Sequence, residues 1–261
     1  MERVDLIHEQ YPKDENGQPR VTGLVLSSHD YREHDCIIHL ATPQRIYSFL
    51  ARGTRRETSK NRRLAMPYSK VILLYDPQYS KDMLFLIRGS LEKQYWKISE
   101  SLELQVLNAI VVSLIERHGI TPEIYEDLEK MWQASDEENL SLMLMYGCLI
   151  VCEILKRTGT IMDVDECASC GSTSRIAGIS MGQGGFVCMD HLHPELGDQI
   201  WPKEKLRHLR WLIKAPHAKI DALKQIPWDW DLFVYLLYWY VYTNDANIKS
   251  LTFLKTILNM K

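Results

Sequence analysis

Four residues in the second half of the chain carry metal-binding chemistry in their types and spacing. Cys167, Cys170, Cys188 and His191 form the pattern Cys-x2-Cys-x17-Cys-x2-His. Three thiolates and one imidazole are a complete tetrahedral donor set for zinc. Two intervening residues let both members of a short pair reach one ion from a single tight turn. Gly171 follows the first pair, and Gly184 and Gly185 suit a bend between the pairs. Four protein donors leave no position for water, so the expectation is a structural zinc rather than a catalytic one. His193 competes with His191 for the fourth place; the spacing of His191, which mirrors the first pair, favours it. A zinc deaminase would need His-x-Glu and Pro-Cys-x-x-Cys. Glu166 precedes Cys167 here, and His8-Glu9 and His34-Asp35 do not supply the first motif.

The second chemical signal is clustered positive charge. Residues 52–63, RGTRRETSKNRR, and residues 203–219, KEKLRHLRWLIKAPHAK, each sum to +5, so the rest of the chain sums to −13 against an overall −3. Charge this uneven says more about partners than the total does. Guanidinium forks match phosphate oxygens, so Arg52, Arg55, Arg56, Lys60, Arg62 and Arg63 are the expected phosphate-binding residues. The ordinary alternative is a solvated loop. The second segment reads as an amphipathic helix. Its cations Lys203, Lys205, Arg207, Arg210 and Lys214 are a basic solvent face, or a surface for phosphate or an acidic partner peptide. Trp201 and Trp211 could stack on bases, but tryptophans among Leu and Ile more often belong to a core.

The remaining cysteines fit a core. Cys148 and Cys152 share a face of an apolar helix and Cys36 sits in a strand-like stretch, as small hydrophobes do. With 46% hydrophobic and 25% charged residues the composition is that of a globular protein. No apolar run reaches the ~20 residues that span a bilayer, and the polar N-terminal stretch lacks a signal-peptide pattern. The expectation is a cytoplasmic protein with no membrane partner.

The elements that must position these residues follow from periodicity. Residues 1–20 read as a loose arm. VTGLVLSSH (21–29), DCIIHLAT (35–42), QRIYSFLA (44–51), YSKVILLYD (68–76) and DMLFLIRG (82–89) are short, β-branched or aromatic, and bounded by turn residues. Five such strands suit an OB-type barrel over 21–95, a fold that binds oligonucleotides on one face and its loops. From residue 99 the period lengthens to 3.6, with helices expected at 99–119, 121–134, 140–158, 203–214, 229–243 and 247–259. The fold class is therefore α+β: an N-terminal five-stranded OB-type barrel, then a helical domain (96–160 and 200–261) interrupted by a zinc-ribbon-like module (161–199). Asp136, Glu137 and Glu138 read as a helix start or loop cluster. No Walker loop, Gly-x-Ser-x-Gly or His-Glu-x-x-His is present, and the chain is not expected to be an enzyme.

VTGLVLSSHDYREHDCIIHLATPQRIYSFLARGTRR resembles the opening of the bacterial RecO family of recombination and repair mediators. The shared features are Asp30, Tyr31, Glu33 and Asp35 after the first strand, then Ala51, Arg52 and Gly53 leading into a basic loop. The two-knuckle cysteine segment and the final NIKSLTFL extend the resemblance over residues 21–259. Where the family usually has a fourth cysteine, this chain has His191; residues 1–20 have no family counterpart. The resemblance implies binding of single- and double-stranded DNA and annealing of complementary strands. It also implies docking of the acidic C-terminal tail of single-stranded-DNA-binding protein, and action with RecR to help load RecA in a bacterial, nucleoid-associated setting. A reading from another class is a zinc-stabilised scaffold whose basic loop meets RNA or an acidic protein partner.

Overall fold

β1 (Arg20–Tyr31), β2 (Asp35–Ala41), β3 (Ile46–Ala51), β4 (Ser69–Asp76) and β5 (Leu84–Gln94) close into a barrel of order β1-β2-β3-β5-β4. A computed structural model of the chain describes residues 13–76, 83–215 and 220–259. Residues 1–12 of the expected arm and 216–219 of the second basic segment lie outside the described residues. The barrel is of the expected OB type. Its closure depends on one short parallel pairing, Phe49 with Leu84 and Leu50 with Phe85; the other strand pairs are antiparallel.

Alternation decides which side chains fill the interior. Ile38 and Leu40 on β2, Phe49 on β3, and Val71, Leu73 and Tyr75 on β4 point inward and are almost fully buried. β1 keeps its register with β2 through a bulge between Val25 and Ser27. The extra residue shifts the parity of the strand, so Ser27 and His29 share the outer face. At Gly23 a Cβ would lie 2.3 Å from the Ala41 carbonyl oxygen, so the close approach of β1 and β2 there requires glycine.

Compactness separates residues 1–138 from residues 139–261. This differs from the boundary that the change of period suggests, because the first helices pack on the barrel. α1 (Trp96–Glu100) leads directly from β5. α2 (Leu102–His118) and α3 (Pro122–Asp136) start where Ser101 and Thr121 accept hydrogen bonds from the amides of Leu104 and Ile124. Pro122 at the first helical position has no amide hydrogen to leave unpaired. Trp132 of α3 joins these parts: its indole donates to Asn108 Oδ1 at 2.7 Å, and its ring meets Tyr68 and Tyr95 edge-on or tilted. Lys70 and Lys93 of the barrel pair with Glu129 and Asp136 of α3, both at 2.7 Å. Asp136 to Glu138 therefore close α3 rather than open a helix.

In the second unit, α4 (Leu140–Arg157) buries Cys148 and Cys152, and burial pushes the Cys152 thiol up to about 12. α7 (Trp230–Asn244) is the aromatic helix, with Phe233, Leu236, Leu237, Trp239 and Tyr240 buried. The Trp239 indole donates to the Thr160 carbonyl at 2.8 Å, which fixes the chain where it leaves α4. α5 (Lys203–Lys214), α6 (Ile220–Leu223) and α8 (Lys249–Asn259) complete the helical layer. A small sheet of order β7-β6-β8 is formed by β6 (Ile176–Ser180), β7 (Gly185–Cys188) and β8 (Gln199–Ile200). α1, α6 and β8 have no counterpart in the sequence reading, since segments of two to five residues are too short to repeat a period. No described helix is long and apolar enough to cross a membrane.

Candidate metal centre and basic barrel loop

The β6–β7 hairpin brings the two cysteine turns together. Gly184 bends the hairpin at φ +87°, and at Gly185 a Cβ would meet the Asp163 carbonyl oxygen at 2.2 Å. The amides of Phe186 and Asp163 donate to the carbonyls of Asp163 and Gly184, and the Ala168 amide donates to Phe186, so the first knuckle is tied to β7. Gly171, at φ +70°, donates back to the Cys167 carbonyl at 2.8 Å, and His191 donates likewise to Cys188 at 3.0 Å.

One donor atom from each of Cys167, Cys170, Cys188 and His191 lies within 4.8 Å of all the others. Cys170 Sγ is 3.9 Å from Cys188 Sγ, and Cys188 Sγ is 3.3 Å from His191 Nδ1. Zinc bonds of ~2.3 Å to sulfur and ~2.0 Å to nitrogen give tetrahedral edges of about 3.8 Å between sulfurs and about 3.5 Å from sulfur to nitrogen. The group therefore fits a zinc-sized ion. His193 turns away and pairs with Glu195 at 3.0 Å, so geometry groups the donor set around His191. Burial opposes ionisation of Cys167, but the amides of Cys188, Ser169 and Cys170 outweigh it and lower that thiol below its ordinary value. Cys188 is lowered for similar reasons, against burial, by the Asp190 and His191 amides and the neighbouring thiols. The apolar support is small: Cys167, Val187 and Cys188 form a cluster with only Ile176 and Leu192 against it. An ion at this point could hold the module where its hydrophobic core is too small to do so.

The barrel's basic loop runs from β3 to β4 and is anchored at both ends. Gly53, at φ +62°, donates its amide to Asp35 Oδ1 at 2.8 Å; Arg55 pairs with Asp30 at 2.7 Å and donates its amide to His34. Asp30 and Asp35 thus shape the start of the loop, a role that the sequence reading did not assign. At the far end a 3-10 turn at Arg62–Ala65 drives Leu64 into the barrel core. Between these anchors the six expected cations are exposed. Arg52 stacks 4.6 Å over Phe85 and Arg55 is held by Asp30. Arg56, Lys60, Arg62 and Arg63 have no carboxylate at ion-pair distance among the described residues. Ser28, Thr54, Arg55, Arg62 and Arg63 border an open cleft of about 560 Å³.

The basic helix differs. Arg210, at 2.9 Å, and Lys214 both pair with Asp165; Lys205 pairs with Asp231 at 3.6 Å and lies 4.4 Å over Trp201. Arg207 lies 3.7 Å from Glu204 and 5.2 Å over the Trp211 ring. Lys203 alone of the five makes no ion pair among the described residues. Trp201 is buried against Tyr235, as a core residue is, whereas Trp211 is 46% exposed.

An OB-type barrel with a cationic loop, continued by helices and a module that carries a thiol-imidazole knuckle pair, defines a class of modular barrel-and-helix proteins. The model described as recombination protein O N terminal matches residues 18–95, and the one described as recombination protein O C terminal matches residues 99–245. The chain belongs to the recombination protein O (RecO) family. The change of model after residue 95 falls where the sequence period changes. Among curated relatives, a DNA repair protein RecO from Syntrophomonas wolfei is 21% identical over 210 residues, 78% of this chain and 82% of that protein. A DNA repair protein RecO from Caldanaerobacter subterraneus is likewise 21% identical over 211 residues, 78% of this chain and 83% of its own.

Proposed function

We propose that this chain is a recombination mediator in DNA repair that binds single- and double-stranded DNA through the barrel loop and anneals complementary strands. Four cations on the loop, Arg56, Lys60, Arg62 and Arg63, exposed and without a carboxylate partner among the described residues, carry this reading. A side chain already paired must break that pair to bind a phosphate; these four need not. Two complementary strands repel through their phosphates, and a surface that neutralises both lowers that repulsion and raises their local concentration. Contacts to the backbone leave base edges free to pair. The cleft beside Arg62 and Arg63 has the volume of a small-ligand site, enough for a nucleotide unit.

The finer steps are proposed on family membership: action with RecR, docking of the single-stranded-DNA-binding protein tail, and loading of RecA in the bacterial cytoplasm. The proposed partner surface is the basic helix α5, with Lys203 and the Lys205, Arg207, Arg210 and Lys214 cations once released from their own carboxylates. Cys167, Cys170, Cys188 and His191 would hold zinc, which when bound supplies a cross-link between the two knuckles. The residues themselves position β6 and β7 and present three sulfurs and one imidazole nitrogen. The test is annealing of complementary oligonucleotides, with and without single-stranded-DNA-binding protein. Annealing that rises with added protein and falls with salt supports the reading. Equal binding of RNA and an acidic peptide, with no annealing, favours a scaffold instead.

A further inference from the structure

A second cluster of metal-ligating side chains lies on the outer face of the barrel, far from the cysteines in sequence. His29 on β1, His39 on β2 and Glu116 near the end of α2 place one donor atom each within 4.8 Å of the others. Strand geometry accounts for the meeting. His39 stands opposite Ser27, and His29 stands opposite Ile37, so the two histidines are diagonal neighbours on one face of the ladder. Their rings are 5.2 Å apart, centroid to centroid. This shared face depends on the bulge after Val25, because a regular strand would send Ser27 and His29 toward the barrel interior. α2 then brings a carboxylate over the pair: Glu116 Oε1 is 2.9 Å from His39 Nδ1 and accepts the Ser27 hydroxyl at 2.5 Å. The same hydroxyl lies 3.1 Å from His29 Nε2.

We propose that His29, His39 and Glu116 form a second transition-metal site, selective for zinc or a similar borderline ion and independent of the cysteine centre. Two imidazoles and one carboxylate suit zinc, nickel, cobalt or copper, and are a poor set for magnesium or calcium, which take mainly oxygen. Three protein ligands leave a coordination position for water or another small ligand. His29 is exposed while His39 and Glu116 are half-buried, so solvent reaches the cluster on the His29 side. Burial disfavours the Glu116 carboxylate, yet hydrogen bonds from His39 and Ser27, and the nearby imidazoles, hold its pKa below the ordinary value. The Ser27 hydroxyl, which also lies 3.2 Å from His39 Nδ1, holds the centre of the three donors, so binding an ion requires it to turn aside and Glu116 to move outward from His39, since zinc spreads N and O donors to about 3.4 Å.

The test is cobalt and zinc titration of the full chain. Cobalt at a three-thiolate centre gives strong near-ultraviolet charge-transfer absorption; cobalt at His29, His39 and Glu116 gives only weak visible bands. The expected result is one equivalent with charge transfer and a further equivalent without it, the latter raising thermal stability by mass action. His29→Ala, at an exposed position, should remove the second equivalent or weaken it at least about tenfold and leave the first unchanged. Glu116→Gln should weaken the second equivalent similarly, with the fold checked by circular dichroism. Binding of a single equivalent by the wild-type chain at micromolar free zinc overturns the proposal. So does a second equivalent whose affinity is the same in His29→Ala.

Discussion

The loop reading makes a quantitative demand on salt dependence. The perturbation is a fourfold variant, Arg56→Ala, Lys60→Ala, Arg62→Ala and Arg63→Ala. It removes the cations without an ion-pair partner and leaves Arg52 over Phe85 and Arg55 on Asp30. Each single-strand phosphate contact contributes about −0.7 to the slope of log K against log salt, so four contacts contribute about −2.8. Between 50 and 200 mM salt that amounts to roughly 50-fold of affinity, which the wild type loses and the variant does not. The four positions are exposed and Leu64, the buried anchor, is untouched. Stability should therefore change by no more than about 0.5 kcal/mol per site. Fluorescence anisotropy with a labelled oligonucleotide across a salt series measures the slope, and urea unfolding checks the fold. Arg55→Ala should cost less than Arg62→Ala, because Asp30 already holds the Arg55 guanidinium. A folded fourfold variant with the wild-type slope would refute the reasoning.

If the knuckle residues hold a structural zinc, as proposed, their loss acts on folding. Cys167→Ser with Cys170→Ser should cost at least roughly 3 kcal/mol and lower the melting temperature by about 6 °C or more; an unchanged melting temperature with a lost activity would mean that the metal is reactive. Gly185→Ala forces a Cβ to within 2.2 Å of the Asp163 carbonyl and should raise proteolysis around residues 163–188 while far-ultraviolet circular dichroism stays near wild type. Asn108 is fully buried and accepts the Trp132 indole proton; Asn108→Ala leaves that donor unpaired and should cost about 1–3 kcal/mol in urea unfolding.

The sequence carries the barrel and the knuckles well, since both are local patterns. Alternation within each strand identifies Ile38, Leu40, Leu73 and Tyr75 as one face, and two-residue spacings identify Cys167 with Cys170 and Cys188 with His191. The choice between His191 and His193 needs the third dimension, where Glu195 takes the second imidazole. The state of each cation is equally invisible in one dimension. Asp165 is 45 residues from Arg210 and 49 from Lys214, yet it pairs with both, while no carboxylate among the described residues pairs with Arg62 or Arg63. The meeting of His39 with Glu116, 77 residues apart, depends on a bulge and a helix path that no short pattern encodes. The reach of the barrel over the first helices is similar: Lys70 with Glu129, and Tyr68 with Trp132, tie α3 to strands that periodicity assigns to another domain.

The most direct test of the central claim is annealing of complementary strands coated with single-stranded-DNA-binding protein, comparing the wild type with the fourfold loop variant. The account predicts that the wild type anneals them at moderate salt, and that the variant, equally folded and equally loaded with zinc, anneals them at least about tenfold more slowly. Equal annealing rates for the two proteins, under conditions where both are folded, would contradict it.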